Sequence, residues 1–329
     1  MRRRSFISLL GGATIWSLAA HAQLADRISR VGVLMPFPEN DANTQADVTA
    51  FAQALGRFGW VEGKNIRIDY RFAAGDPTLF EMYAAELVGL SPVAILAGNS
   101  PAAAALQKQT RTIPIVFVLV ADPVGMGFAQ SLARPGGNIT GFSSFDAPMM
   151  GKWLQLLKEV APGVTRVTVI FNPETAPYAT LANRAIESAA PSFGMTVTLA
   201  PVHDDLAIEE AAAAEAHQPG GGLIALPDSF NATHREAIIT AATRHGLPLI
   251  GVSGLSPKAG ALMSYWIHEP DLYAQAASYI DRILKGASPA DLPVQQPTKY
   301  SLVINLKTAK VLGLTVPLHV LQVADEVIE

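Results

Sequence analysis

The sequence predicts an α/β protein of two similar lobes, each built around a parallel sheet. Short β-branched runs alternate with amphipathic segments of helical length, the pattern of βαβ units. The alternation occurs twice, and the two series part near Arg134-Pro135-Gly136-Gly137-Asn138. With 329 residues, 50% hydrophobic and 16% charged, the chain is long and apolar enough to fill two cores of ordinary domain size.

In the first series Val31–Met35, Ile66–Phe72, Val93–Ala97 and Ile113–Ala121 read as strands, with helical patterns at 44–58, 78–89 and 101–109. The second series has strand-like runs at Val167–Phe171, Thr196–Ala200, Gly222–Leu226 and Leu249–Val252. Its helical patterns lie at 178–191, 205–217 and 233–245. A further unit follows: a strand at Ala261–Trp266, a helix at 270–285, a strand at Ser301–Asn305 and a last helix at 318–328. A βα unit added after a completed lobe most simply crosses back to the first, which predicts several crossovers and a hinge.

The N-terminus reads as an export leader. Arg2-Arg3-Arg4-Ser5-Phe6-Ile7 precedes an apolar run that ends at Ala20-His21-Ala22, and the stretch has no acidic residue. This is a secretory signal of the twin-arginine type, expected to be cleaved after Ala22. Its apolar run is shorter than the ~18 residues a membrane span requires. Removing 22 residues and three arginines leaves 307 residues and moves the formal charge from −4 to −7. With no cysteine in the chain, neither disulfides nor a lipid anchor at the cleavage point is available. The expectation is a periplasmic protein, soluble and monomeric, that does not insert in the membrane. Its mildly acidic charge argues against nucleic acid as a partner.

Polar residues recur where the predicted strands end: Asn99-Ser100-Pro101, Asp122-Pro123, Asn172-Pro173 and Pro227-Asp228. Ligands of open α/β sheets bind outside the carboxyl ends of the strands. Helix N-termini at those ends offer amides and partial positive charge to an anion. Ser, Asn and Asp are also the preferred helix caps, and Pro the preferred first helical residue, so capping competes with ligand contact at each site. Tyr178 and Tyr265 are candidate walls, with Phe37 after the first strand. Only one of Tyr265 and Trp266 can face a cleft, because alternate strand residues point to opposite sides.

Enzyme signatures are absent. No phosphate-binding glycine loop follows a strand, and Pro36 and Pro38 occupy the place of a dinucleotide-binding turn. The seven histidines include no i, i+4 pair, so no metal site, catalytic residue or cofactor is predicted. Gly98-Asn99-Ser100-Pro101-Ala102 resembles a nucleophile elbow, but the residue after the serine must donate its N–H to the oxyanion, and Pro101 has none. The segment suits anion capture instead, with Ser100 as the predicted cap.

Three phrases resemble the ABC-transporter substrate-binding protein family: Gly59-Trp60-Val61-Glu62-Gly63-Lys64-Asn65-Ile66, Leu132-Ala133-Arg134-Pro135-Gly136-Gly137-Asn138-Ile139-Thr140-Gly141 and Ile304-Asn305-Leu306-Lys307-Thr308-Ala309-Lys310. The resemblance covers the mature chain. It implies the type I periplasmic-binding-protein fold, two Rossmann-like lobes joined by three crossovers. The lobes are then expected at 30–141 with 268–292 and at 142–267 with 293–329. It implies no enzymatic activity, a small ligand of amino-acid type held between the lobes, and a membrane permease as partner. Positions matching the family's cleft loops are Asn99, Ser100, Asp122, Asn172, Thr175, Tyr178 and Asp228. Tyr265 completes the candidate set, and Trp266 stands where relatives often carry glycine. Two other roles share these residues: a ligand-binding subunit for a signalling receptor, and an exported α/β enzyme.

Overall fold

A computed structural model describes residues 28–144, 147–251 and 255–329. The expected leader at 1–22 lies outside the described residues. Two sheets organise the chain. The first has five parallel strands in the order β2-β1-β3-β4-β5, formed by β1 (Ser29–Met35), β2 (Ile66–Phe72), β3 (Ala94–Ala97), β4 (Ile115–Val120) and β5 (Ile139–Ser143). The second has seven, in the order β12-β11-β10-β9-β8-β6-β7. They are β6 (Arg166–Phe171), β7 (Thr196–Pro201), β8 (Leu223–Ala225), β9 (Leu249–Gly251), β10 (Met263–Ile267), β11 (Tyr300–Asn305) and β12 (Glu326–Ile328).

The central strands read as unbroken apolar runs because helices cover both faces. Ile115, Val116, Phe117 and Val118 are all fully buried. The first lobe carries α1 (Ala42–Arg57), α2 (Pro77–Gly89) and α3 (Ser100–Gln109). The second carries α4 (Ala147–Val160), α5 (Ala179–Ala189), α6 (Asp205–Ala216), α7 (Ser229–Thr233), α8 (Arg235–Arg244) and α9 (Leu255–Ala259). The chain crosses from the first sheet to the second between β5 and α4. It returns between β10 and α10 (Glu269–Leu284), then crosses a third time between α10 and β11.

α10 belongs to the first lobe by its packing. It lies along α1, buries Tyr273, Ala276 and Ile280 there, and Asp281 Oδ1 accepts from Trp60 Nε1 (2.9 Å). Two crossovers run side by side: Gln295 N donates to Gly141 O (2.9 Å) and Ser143 N to Gln295 O (2.8 Å). β5 therefore continues two residues past the lobe boundary expected at 141.

Two local expectations are corrected. β11 runs antiparallel to β10, so the second sheet is mostly rather than wholly parallel. The last helix, α12 (Leu318–Gln322), is shorter than the 318–328 expected, and Glu326–Ile328 instead pairs with β11 as an edge strand. A short helix α11 (Leu306–Val311), between β11 and α12, starts under an Asn305 cap. Among the described residues no helix is long and apolar enough to cross a membrane.

Candidate functional site

A cavity of about 280 Å³ lies between the lobes, outside the carboxyl ends of β1, β3 and β4 on one side and of β8 on the other. The first lobe lines it with Phe37, Asp41, Asn99, Ser100 and Leu119; the second with Thr175, Tyr178, Asp228, Ser229 and Arg235. Trp266 and Glu269, flanking the return crossover, also line it.

On the first lobe Asn99, not Ser100, caps α3. Its extended backbone (φ −167°) lets Oδ1 accept from Ala102 N at 2.9 Å. Ser100 is thereby the first helical residue. Its Oγ is buried in the cavity wall and has no hydrogen-bond partner. The Ala102 amide is thereby occupied and is not open to an anion. Leu119 reaches the cavity through an unusual backbone, φ +56°, at the point where the pairing of β4 with β5 slips between Phe117 and Val120. Gly141, on the facing strand, must be glycine: a Cβ there would lie 2.0 Å from Phe117 O.

On the second lobe a polar network joins the end of β6 to the start of α7. Asp228 Oδ1 accepts from Asn231 N (2.7 Å) and from the Thr175 hydroxyl (3.1 Å), and Oδ2 accepts from Asn172 N (3.2 Å). Asn172 is itself committed, accepting from the Glu174 and Thr175 amides and donating to Val202 O. The Tyr178 hydroxyl donates to Pro227 O. Burial raises the Asp228 carboxyl to about 6 despite these donors, and burial also holds the Tyr178 hydroxyl well above its usual range. Ser229 Oγ, beside them, is buried and has no partner.

Of the residues singled out in the sequence, Asn99, Ser100, Thr175, Tyr178 and Asp228 converge on the cavity. Asn172 stands behind it as the anchor of Asp228 and Thr175. Asp122 does not line it: its carboxylate turns back onto its own loop, accepting from Gly125 N at 2.8 Å. Tyr265 does not line it either. The strand's alternation sends its ring against Tyr300 (centroids 5.4 Å apart) and gives the cleft to Trp266.

Asp41, Ser229, Arg235 and Glu269 are cavity residues that the sequence did not mark. Glu269-Pro270 follows a strand end, the same habit that marked Asn99 and Asp122, so a signal for it was present. Asp41 Oδ1 caps α1 through the Asn43 and Thr44 amides, while Oδ2 pairs with Arg235 Nη1 at 3.0 Å across the cleft. Glu269 Oε1 accepts from Trp266 Nε1 at 2.7 Å. Burial, with a smaller contribution from the Asp41 charge, raises Glu269 to about 7. A smaller cavity shares Asn43, Trp266 and Glu269 with the first and reaches Asp47. Both Asp47 carboxylate oxygens are buried without partners, and burial together with the Glu269 charge raises that group. Among the described residues, no three His, Asp or Glu side chains could hold a metal ion.

The family model described as ABC transporter substrate binding protein matches residues 30–328. The "Tyrosine-binding protein" of Clostridioides difficile (strain R20291) is 26% identical over 272 residues, covering 80% of this chain and 75% of that protein. The crystal structure of a conserved domain protein from Vibrio cholerae superposes with a TM-score of 0.85 at 30% identity, over 92% of this chain and 100% of that one. An ABC domain from Streptococcus pneumonia, solved in complex with L-Trp, gives 0.85 at 24% identity over the same shares and shows the common fold.

Proposed function

We propose, from the premise that this chain belongs to the ABC transporter substrate binding protein family, that its interlobe cavity captures an α-amino acid with an aromatic side chain. The protein binds a small molecule and is not an enzyme. The observation that carries the amino-acid reading is the pair of buried hydroxyls Ser100 Oγ and Ser229 Oγ. They lie on opposite lobes, line one cavity and have no protein partner. Leaving such a group unpaired costs roughly 1–3 kcal/mol, which a polar ligand bridging the lobes would recover on closure. Phe37, Tyr178, Trp266 and Leu119 give the rest of the wall to an apolar or aromatic group. The likeness to a protein named for tyrosine binding supports the same class.

Delivery to a membrane permease and residence in the periplasm follow from this reading, the latter supported by the leader pattern at 1–22. The first lobe would end just past β5 and the hinge would lie in the three crossovers. Titration calorimetry of the mature protein with the twenty L-amino acids tests the reading, with L-tyrosine expected among the tightest. Ser100→Ala and Ser229→Ala should each weaken L-tyrosine binding by roughly three- to thirty-fold. Heat signals at baseline for all twenty would reject it.

A further inference from the structure

We propose that Glu269 is the carboxylate that receives the ligand's α-ammonium group, which rests on the amino-acid reading above and adds to it the residue that recognises the amine. Three acidic side chains line the interlobe cavity: Asp41, Asp228 and Glu269. The first two are committed. Asp41 gives one oxygen to the start of α1 and the other to the Arg235 guanidinium. Asp228 takes the Asn231 and Asn172 amides and the Thr175 hydroxyl. Glu269 has one protein donor, the Trp266 indole on Oε1, and among the described residues it makes no ion pair. Its second oxygen is available to a cation.

Its position suits the role. Glu269 opens α10, one turn before Tyr273, and residues four apart on a helix share a face. The Tyr273 hydroxyl donates to Gly98 O at 3.3 Å, and Gly98 lies two residues before Ser100. The Glu269 face of α10 therefore adjoins the loop carrying the unpartnered Ser100 hydroxyl. A zwitterion could span the two with its carboxylate at Ser100 and its ammonium at Glu269. The indole of Trp266 fixes the carboxyl before the ligand arrives and at the same time walls the cavity. A cation placed here would also answer the buried acidity around it, since Asp47 lies beside the shared wall with both oxygens unpaired. Burial raises both acids in the ligand-free protein, as expected of carboxylates waiting for a positive partner. Glu269 is also an acid in the first turn of a helix, where it would favour the helix dipole without any ligand. The two roles give different results on substitution.

The experiment titrates wild type and Glu269→Gln with L-tyrosine and with its deamino analogue, 3-(4-hydroxyphenyl)propionate. Glutamine keeps an acceptor for Trp266 and removes the charge. Glu269→Gln should weaken L-tyrosine binding roughly ten- to hundred-fold, the value of a charge-assisted hydrogen bond, while the analogue changes by less than about two-fold. Wild type should prefer L-tyrosine to the analogue, and the variant should lose most of that preference. Equal L-tyrosine affinity in both proteins overturns the assignment, as does equal weakening of both compounds. Trp266→Phe, which frees the Glu269 carboxyl without removing its charge, should reduce the same preference in part; full preference in that variant counts against the arrangement. Failure of wild type to bind L-tyrosine or any other amino acid would reject the amino-acid reading itself, and is distinguishable from all of these.

Discussion

Asp228 and Glu269 border the same cavity, and desolvation raises both above the usual carboxylate range, yet their surroundings differ. Asp228 is held by three donors, Glu269 by one. Each has a folded-state pKa above its unfolded value, so each binds more protons in the folded protein. Their contribution to stability is present below about pH 4 and is lost as the pH rises through about 6 for Asp228 and about 7 for Glu269. Asp47 acts in the same direction, and the charges facing Glu269 are Asp41, Asp47 and, through Asp41, Arg235. In ligand-free protein, the Glu269→Gln variant should therefore show a shallower fall in urea midpoint between pH 5 and pH 7.5 than wild type. Parallel curves would mean that Glu269 titrates as it does in an unfolded chain.

At the level of elements, the caps divide structural from ligand-facing work. Asn99 holds α3 so that Ser100 need not, and Asp228 ties α7 to the end of β6. Asn99→Ala should cost about 1 kcal/mol, the usual value of a lost cap. Asp228→Ala should cost more, about 2–4 kcal/mol, because it also strands the Asn172 amide and Thr175 hydroxyl in a buried place. Urea unfolding separates them, and equal losses would show that the network adds nothing to the cap. Long periodic elements were legible in the sequence: α1, α2, β1 and β2 lie within a few residues of expectation. Others were not. β5 is broken in sequence by Gly141, which is required by the close approach of Phe117 O. No helix is predicted for 147–160, although Met149, Met150, Trp153, Leu157 and Val160 repeat at helical spacing and are buried. β12 exists because β11 offers an open edge, a partner no local pattern reveals.

At the scale of the whole molecule, the two lobes touch across the cavity. The Asp41–Arg235 pair joins α1 to α8 across the cleft, and Gly75, after β2, approaches Thr233 so nearly that a Cβ would sit 3.3 Å from Oγ1. Hinge closure is the motion such lobes perform on a ligand. Small-angle scattering should give a smaller radius of gyration with saturating L-tyrosine than without; an unchanged radius would indicate a fixed cleft. Arg235→Ala removes a cross-cleft contact without touching the hydroxyl pair. It should weaken L-tyrosine binding by roughly two- to ten-fold and flatten the salt dependence of binding, measured by calorimetry at low and high ionic strength.

The sequence by itself determined the two-lobed α/β architecture, the strand ends at which polar residues gather, and the absence of enzyme motifs. These follow from local periodicity and from the chemistry of caps and turns, which short stretches of chain specify alone. It also carried the resemblance that pointed to a binding protein. Only the tertiary structure decided which strand-end residues face one another. Asp122 and Asp228 look alike in sequence, each beside a proline at a strand end, but one turns into its own loop while the other lines the cavity. Tyr265 and Trp266 are adjacent, and the register of β10 alone gives the cleft to Trp266. Asp41, Arg235 and Glu269 are far apart in the chain and converge only because α10 returns to the first lobe while α8 stays in the second. A site between two lobes is made of long-range proximity, and that is fixed by packing and crossover topology rather than by any local run of residues.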